Sequence, residues 1–375
     1  MIVAFGVALV VAALLAPMAS VRGDRAGTLH SKAGDDAPRK HAERARGALR
    51  RFEFSNPHMG TLFRIVLYAE DSGRAADAAR AAFDRVAALD ERLSDHRPDS
   101  EVNGLSRGEP DRAVPVSADL LGVLVRAHEI ARITGGVFDF TAGPLVQLWR
   151  RARQRSELPR PAAIAAVRTR LGYDKVEVDT AAGTVRLVVS GMQLDFGGIA
   201  KGYAADAALA VLRSHGIGRA LVAAAGDIAA GEPPPGEVAW RVDVALLDRQ
   251  ERIGLTGMAV STSGDSEQYV EIAGMRYSHI VDPRSGEALT GRRAVSVTAP
   301  DATTSDALAT ALSVLDHDAG FALIDRFEGT AVLMQRDSGS GVQTWRSAAW
   351  SCRSAAQAGE ALWRDRAVAP SPTPR

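Results

Sequence analysis

An aspartate and a threonine four residues apart form the first candidate site. Asp306 and Thr310 lie in the segment 301–312, DATTSDALATAL, whose spacing predicts a helix over about 304–315. Residues four apart share one face of a helix. A carboxylate and a hydroxyl are hard oxygen ligands, and Mg²⁺ commonly completes such a site with water and substrate phosphate. The same pair would also suit the helix dipole and ordinary packing, so both interpretations stand at this point.

A glycine turn before a helix forms the second candidate. Residues 194–209 read LDFGGIAKGYAADAAL, which predicts a strand end, a Gly-Gly turn and the start of a helix. Unpaired amides and the helix dipole favour an anion at such a helix start. The segment contains neither G-K-[ST] nor G-x-G-x-x-G. A phosphate site and a simple packing turn therefore both remain open.

A single histidine forms the third candidate. His279 lies in YSHIVDP, residues 277–283, at the end of a short predicted strand and beside an Asp-Pro turn. Such a histidine can be a structural hydrogen-bonding residue or a general base. Its position at the end of an element favours a functional role, because functional groups concentrate in loops on a rigid scaffold.

Composition excludes several other classes of site. The 375 residues contain 45 Lys and Arg against 45 Asp and Glu, so no global charge points to nucleic acid. With one cysteine, the chain has no internal disulfide and no cysteine-based metal site. The eight histidines are scattered without an i,i+4 pair, so a zinc site is not indicated.

The apolar spacing also predicts the elements that position these groups. It indicates helices and strands over much of the chain: helices over 72–94, 117–134, 161–171, 304–315 and 318–326; strands over 61–71 and 219–227; a hairpin around Ala181-Ala182-Gly183; short strands from 238 to 299; and a strand over 330–335. Residues 56–60, 96–110 and 136–150 read as loops. The strands are joined by links of hairpin length, which favours an α+β fold over a doubly wound α/β fold.

Seven motifs together resemble the ApbE-type flavin transferases. In the order and at about the spacing of that family, the chain contains MGT (59–61), GGVFDFTAGPLVQLW, LDFGGIAKGYAAD, AGDI (225–228), AVSTSGD, YSHIVDPRSG and SDALATAL. The resemblance covers about residues 52–335. It implies an ApbE-like α+β fold, with mixed or antiparallel sheets flanked by helices and an FAD site in a cleft between sub-domains.

The resemblance also implies an activity. Members of the family are FAD:protein FMN transferases, which require Mg²⁺, split FAD and release AMP. They attach FMN through a phosphoester bond to a Ser or Thr hydroxyl in a flavinylation motif of an acceptor flavoprotein subunit. FAD is thus expected as the substrate, Mg²⁺ as the cofactor and another protein as the partner.

Carried over residue by residue, the resemblance implies a full set of site residues. Lys201 and Asp195 would contact FAD, and the other FAD contacts would be Met59, His96, Val137, Phe138, Asp139 and Ile280. The metal would be held by the backbone carbonyl of Gly198 and the side chains of Asp306 and Thr310. His279 is the expected general base for the acceptor hydroxyl, because its ordinary pKa of about 6.5 lies near neutrality.

One motif departs from the family pattern. The family usually has NAGGDI where this chain has Ala223-Ala224-Ala225-Gly226-Asp227-Ile228. The missing asparagine and glycine put the local grip on the nucleotide or the incoming peptide in question. The departure does not bear on the metal site. Independently of it, two alternatives to the transferase stay open: a Mg²⁺-dependent FAD pyrophosphatase that yields FMN and AMP, and an exported flavin-binding protein without catalysis.

The ends of the chain differ from the rest in composition. Residues 1–20 contain an uncharged apolar run and are expected to form a signal peptide or membrane anchor, although a mis-assigned start codon is the alternative. Residues 21–51 read as a flexible basic linker, 52–340 as the catalytic domain, and 341–375 as a partly disordered C-terminal extension. The protein is thus expected to be exported, and to be periplasmic or anchored in the inner membrane facing the periplasm.

Overall fold

The computed structural model describes residues 48–264, 268–337, 339 and 341–351. The apolar run 1–20, most of the linker 21–51 and the end of the C-terminal extension lie outside the described residues. Within the described part, no helix is both long and apolar enough to cross a membrane.

The described residues form helices and strands in an α+β arrangement, as predicted. The helices are α1 (Ser72–Leu93), α2 (Glu101–Arg107), α3 (Ala118–Thr134), α4 (Gly143–Arg155), α5 (Pro161–Arg168), α6 (Ala200–Ser214), α7 (Ala302–Val314), α8 (His317–Ile324) and α9 (Ala348–Ser351). The strands are β1 (Arg50–His58), β2 (Thr61–Ala69), β3 (Ala113–Pro115), β4 (Val176–Asp179), β5 (Thr184–Leu187), β6 (Ala220–Ala224), β7 (Asp227–Ala230), β8 (Trp240–Ala245), β9 (Gln250–Leu255), β10 (Ala259–Gly264), β11 (Tyr269–Ile272), β12 (Met275–Val281), β13 (Ala288–Thr290), β14 (Arg292–Ala299), β15 (Ala331–Asp337) and β16 (Val342–Arg346).

An eight-stranded antiparallel sheet is the scaffold. Its order is β1-β2-β6-β7-β10-β14-β15-β16. Alternate side chains of a strand point to opposite faces, and in β2 Phe63 and Ile65 therefore join the core under α1, α6 and α7. Val66 faces the other way, into a second core that the β8–β9 hairpin covers. The sheet is thus buried on both faces.

Two smaller sheets complete the fold. Strands β3, β5 and β4 form one, and the turn predicted between β4 and β5 is present. Strands β11, β12 and β13 form the other, which we call the His279 lobe. A separate apolar cluster joins this lobe to α4, with Leu145 and Trp149 contacting Val281 and Ala288.

Three predicted loops are corrected by the structure. Residues 143–155 form α4, because Gly143-Pro144 starts the helix rather than breaking it, and Pro is tolerated in a first helical turn. Residues 101–107 form α2, which Ser100 caps by accepting the Asn103 N–H. Residues 56–58 belong to β1, where Pro57 is tolerated because β1 is an edge strand.

The C-terminal end of the sheet also lies beyond the expected boundary. Strand β16 pairs with β15, and Trp350 is fully buried in the second core. The sheet therefore continues past residue 340, where the sequence placed the end of the catalytic domain. Strand β16 lies outside the seven motifs, so the motifs could not predict this extension of the sheet.

Candidate active site

Helices α6 and α7 touch backbone to backbone at Gly202. A Cβ built on Gly202 would lie 2.1 Å from the carbonyl oxygen of Ala302 and 2.8 Å from Cβ of Asp306. The Gly202 N–H donates to Oδ2 of Asp306 at 3.0 Å. Only glycine permits this approach. The glycine of the AKGYAAD segment therefore has a packing role, which places Asp306 beside the start of α6.

Asp206 fixes the same junction one turn further along α6. Its carboxylate accepts the backbone N–H groups of Ala302 at 2.9 Å and Thr303 at 2.8 Å, and the Thr303 hydroxyl at 2.6 Å. Burial raises the pKa of Asp206, and these hydrogen bonds oppose the rise. The side chain thus caps the start of a helix 97 residues away, a role that no local pattern in the sequence signals.

Lys201 lies between two buried carboxylates. Its Nζ is 3.0 Å from Oδ2 of Asp227 and 3.6 Å from Oδ2 of Asp306. Burial opposes the charge on Lys201, but the two carboxylates outweigh it and raise its pKa above the ordinary value. Burial and the neighbouring Asp227 raise the pKa of Asp306 to about 7, while Lys201 opposes the rise. Sequence reasoning missed Asp227, although it lies in the quoted AGDI motif.

Gly198 and Thr310 meet at the same junction. A Cβ on Gly198 would lie 2.9 Å from the Thr310 hydroxyl oxygen. Thr310 follows Asp306 by one turn of α7, so the carboxylate, the hydroxyl and the backbone of Gly198 form one neighbourhood. Hereafter this group, with Lys201 and Asp227, is called the helix junction.

The helix junction fits a hard divalent cation. Its donors are oxygens, as Mg²⁺ prefers, and Gly198 has no side chain between its backbone and the Thr310 hydroxyl. Asp306 and Asp227 concentrate negative charge where the Lys201 ammonium already lies. In the described part of the chain, no three His, Cys, Asp or Glu residues cluster as metal ligands, so a metal here would rely on hydroxyl and carbonyl oxygens as well.

Asp195 lies in a second group of charged residues. Its Oδ1 accepts the Gly197 N–H at 2.7 Å, and its Oδ2 is 3.7 Å from Nη2 of Arg150. Burial and, after it, the Asp95 carboxylate raise the pKa of Asp195. The predicted FAD contact His96 is adjacent, with Nε2 3.7 Å from Oδ1 of Asp95 and a largely exposed side chain.

The 137–139 stretch packs against the loop that carries Asp195. Phe140 and Phe196 stack with ring centroids 6.2 Å apart, and the Asp195 N–H donates to the Phe140 carbonyl at 2.8 Å. Val137 and Phe138 are buried in the main core.

Asp139 accepts the Thr141 N–H and hydroxyl, and burial raises the pKa of Asp139 although those hydrogen bonds oppose the rise. A shallow cavity of about 240 Å³ lies beside Asp139 and is also lined by Pro283 and Arg284.

Met59 lies at the tight turn between β1 and β2. Its φ is 49°, in the left-handed region, and its N–H donates to Oδ2 of Asp90 at 2.9 Å. The side chain is half-buried against the main core. The carboxylate of Asp90 therefore holds a strained turn in place.

His279 and Ile280 lie on β12 of the His279 lobe. Nδ1 of His279 is 3.2 Å from the Gln268 carbonyl oxygen, and Ile280 is buried. Because a carbonyl oxygen can only accept, that contact suits the tautomer of His279 that carries the ring proton on Nδ1. Apart from Met59 at the β1–β2 turn, the predicted site residues thus form three groups: the helix junction, the surroundings of Asp195, and this lobe.

The chain is similar to a family of known proteins. Residues 59–334 match the sequence profile of the ApbE family. This chain belongs to the ApbE family. It is 32% identical over 305 residues to the FAD:protein FMN transferase of Salmonella typhimurium, covering 77% of this chain and 85% of that protein. The corresponding enzyme of Treponema pallidum is 33% identical over 316 residues, with the same coverage.

Solved ApbE structures share the fold. The apo form of the Pseudomonas stutzeri flavinyl transferase ApbE matches with a TM-score of 0.72 and 30% identity, over 80% of this chain and 96% of that one. The flavin transferase ApbE of Vibrio cholerae matches with a TM-score of 0.72 and 27% identity, over 82% and 100%. The family and the α+β fold predicted from the motifs are thus confirmed.

The structure explains part of the departure from the usual ApbE motif. Ala225 has a φ of 54°, so it occupies the left-handed conformation that favours the glycine of the family pattern. Ala223 belongs to the second core, on the face of the sheet that the β8–β9 hairpin covers. An asparagine at 223 would therefore point away from the helix junction, whereas Asp227 of the same motif reaches Lys201.

Proposed function

We propose that this ApbE-family enzyme transfers FMN from FAD to a Ser or Thr hydroxyl of an acceptor protein, with Mg²⁺ bound at the helix junction and AMP released. Flavin transfer is the activity named for its curated relatives. The observation that carries the proposal is the meeting of Lys201, Asp306 and Thr310 beside Gly198. A protein that only bound flavin would not require a half-buried lysine between two buried carboxylates.

The metal would be held by Asp306, Thr310 and the backbone carbonyl of Gly198. When bound, Mg²⁺ supplies charge neutralisation on the pyrophosphate. Lys201 adds a fixed positive charge at the start of α6, where Ile199 provides no capping side chain. Such preorganised charges stabilise the negative charge that develops on phosphoryl oxygens during displacement.

His279 is the proposed general base. In the tautomer that suits the Gln268 contact, Nδ1 carries the proton and Nε2 carries the lone pair, which is the form a base requires. The acceptor oxygen bonds to the phosphorus on the FMN side, and the phosphoanhydride bond to AMP breaks. The proton of the acceptor hydroxyl goes to Nε2 of His279.

The test is a flavinylation assay with the full chain. FAD, Mg²⁺ and a candidate acceptor subunit are incubated, and covalent flavin is detected as fluorescent acceptor on a denaturing gel. We expect label on the acceptor together with AMP. Release of AMP without label on any acceptor would instead support the FAD pyrophosphatase, and bound FAD without either product would support a flavin-binding protein.

A single substitution tests the base. His279→Asn should abolish transfer while FAD binding survives, because the side chain acts on the hydroxyl and not on the nucleotide. The backbone N–H and the ring Nδ1 of His279 both contact the backbone carbonyl of Gln268. Gln268→Ala keeps that carbonyl, so this variant is the control and should retain transfer. Undiminished transfer by His279→Asn contradicts the assignment.

Export is proposed on the sequence alone. The uncharged run within residues 1–20 favours a signal peptide or membrane anchor, which would place the enzyme in the periplasm or on the outer face of the inner membrane. A fusion of residues 1–51 to a reporter that is active only outside the cytoplasm tests this. An inactive reporter contradicts export.

A further inference from the structure

Three separate segments meet at the side chain of Arg150. Arg150 lies on α4, Asp95 in the loop between α1 and α2, and Asp195 in the loop before α6. Nη1 of Arg150 donates to Oδ2 of Asp95, and Nη2 is 3.7 Å from Oδ2 of Asp195. Both carboxylates are mostly buried, with side chains 15% and 10% exposed.

The loop that carries Asp95 is itself held rigidly. The side-chain amide of Asn103 donates to the backbone carbonyls of Ser94, Asp95 and Arg97, at 3.4, 2.9 and 2.8 Å. Asp95 is therefore a fixed anchor for the guanidinium. His96, a predicted FAD contact, is the next residue along this loop.

Asp195 has little other restraint on one of its oxygens. Its Oδ1 is engaged by the Gly197 N–H, which shapes the Gly-Gly turn. Its Oδ2 has the longer contact with Arg150, at a distance beyond a hydrogen bond. The orientation of Oδ2 therefore depends on the charge of Arg150, and this oxygen keeps acceptor capacity for a ligand.

Arg150 offsets part of the negative charge of this group. Two carboxylates face one guanidinium, and a mostly buried carboxylate without a partner is costly. Without Arg150, Asp95 and Asp195 would repel each other across a site of low polarity. Asp195 would then turn away or take up a proton, and either change removes an ionised acceptor from the nucleotide cleft.

We propose that Arg150, anchored by Asp95, is a positioning residue that holds the Asp195 carboxylate in the orientation that binds the nucleotide. This inference rests on the proposed function, because it takes Asp195 as a contact to FAD. It adds Arg150 and Asp95, which the motif comparison did not assign. It also links the loop of His96 to the loop of Gly198 through one guanidinium.

The experiment measures FAD affinity of the full chain by flavin fluorescence, together with KM and kcat for transfer. Arg150→Met should weaken FAD binding about tenfold or more, as expected for loss of a residue that orients a ligand group. The kcat at saturating FAD should fall much less than the affinity. Arg151→Met removes the same charge from an exposed neighbour on α4 and should bind FAD as the wild type does.

A second substitution separates positioning from simple stability. Adding Asp95→Asn to Arg150→Met removes the repulsion and should recover part of the lost affinity. A purely structural role of Arg150 predicts that FAD affinity recovers only as far as the free energy of unfolding does, so both quantities are measured on each variant. If Arg150→Met does not fold, Arg150→Lys is measured in its place. Lysine keeps the charge but cannot span both carboxylates, so weaker FAD binding is expected.

The outcomes distinguish this inference from the proposed function. Unchanged FAD affinity in a folded Arg150 variant overturns the inference, as does an equal loss in Arg151→Met. A wild-type chain that binds no FAD contradicts the proposed function instead.

Discussion

The helix junction and the His279 lobe are built in opposite ways. At the junction, two helices touch through glycine backbone, and Asp306 is only 4% exposed. The lobe is a three-stranded sheet whose register is irregular between Tyr277 and Val281. It is joined to α4 through a small cluster around Trp149, and His279 itself is half-buried.

The difference matches what each region must do in the proposed reaction. A group that binds a metal and a pyrophosphate gains from fixed geometry, because preorganised charges need no rearrangement during the reaction. A base for a protein hydroxyl must instead be reached by another chain. The contrast therefore suggests a rigid nucleotide side and an accessible acceptor side, and three substitutions test it.

The largest effect is expected at the junction. Gly202→Ala places a methyl group 2.1 Å from a backbone oxygen, which cannot move without separating α6 from α7. The free energy of unfolding should fall by about 3 kcal/mol or more, and transfer should be lost. Denaturant unfolding and the gel assay measure both.

Gly104→Ala is the matched control for this change. Gly104 lies inside helix α2, and a Cβ there meets nothing within 4 Å. The alanine should leave stability unchanged or raise it by about 0.5–1 kcal/mol. Equal behaviour of the two variants would show that the backbone contact at Gly202 carries no special cost.

A smaller effect is expected where α4 packs against the His279 lobe. Trp149 stacks on Tyr277 with ring centroids 5.6 Å apart, and its indole N–H donates to the Gly286 carbonyl at 2.9 Å. Trp149→Phe removes that donor and some volume, so it should cost about 2 kcal/mol. Because the lobe carries His279, kcat should fall while FAD affinity is retained.

The same Trp-to-Phe change on strand β16 serves as its control. Trp345 lies on β16 and stacks on His317, away from the lobe. Trp345→Phe should leave kcat unchanged. If Trp149→Phe destabilises the protein but leaves kcat at the wild-type value, the packing of the lobe against α4 does not limit transfer.

The smallest effect is expected at Ala225, next to Gly226 in the turn that leads to Asp227. Its positive φ is unfavourable for alanine, so Ala225→Gly should raise the free energy of unfolding by up to about 1 kcal/mol. Ala224→Gly, in strand β6, should lower it instead, since glycine weakens a strand. Thermal unfolding compares the two, and destabilisation by Ala225→Gly would argue against strain at this turn.

The sequence predicted elements wherever the apolar spacing was long and regular. Helices α1 and α3 span nearly the predicted residues. Helix α7 begins at Ala302, two residues early, because Asp301 is the cap. Elements were missed where glycine, proline or polar residues interrupted the pattern, as in α2, α4 and β1, because burial by neighbouring elements outweighs local propensity there.

The site residues also divide into those that the sequence predicted and those that only the structure identified. Motif order along the chain was sufficient to identify the family and to propose Lys201, Asp306 and His279. It did not identify Asp227, Asp206 or Arg150, whose roles come from partners on other elements. Asp206, for example, lies in the quoted motif but gains its role only from the start of α7.

The sequence by itself therefore determined the family, the fold class and the regular helices of this protein. Only the tertiary structure decided which carboxylates share Lys201, which backbone approaches Gly202, and which acids Arg150 joins. The physical reason is that helical and strand periodicity records the exposure of each residue to water, a local property. Contacts such as Arg150 with Asp95, 55 residues apart, depend on how whole elements pack, and no local pattern encodes that packing.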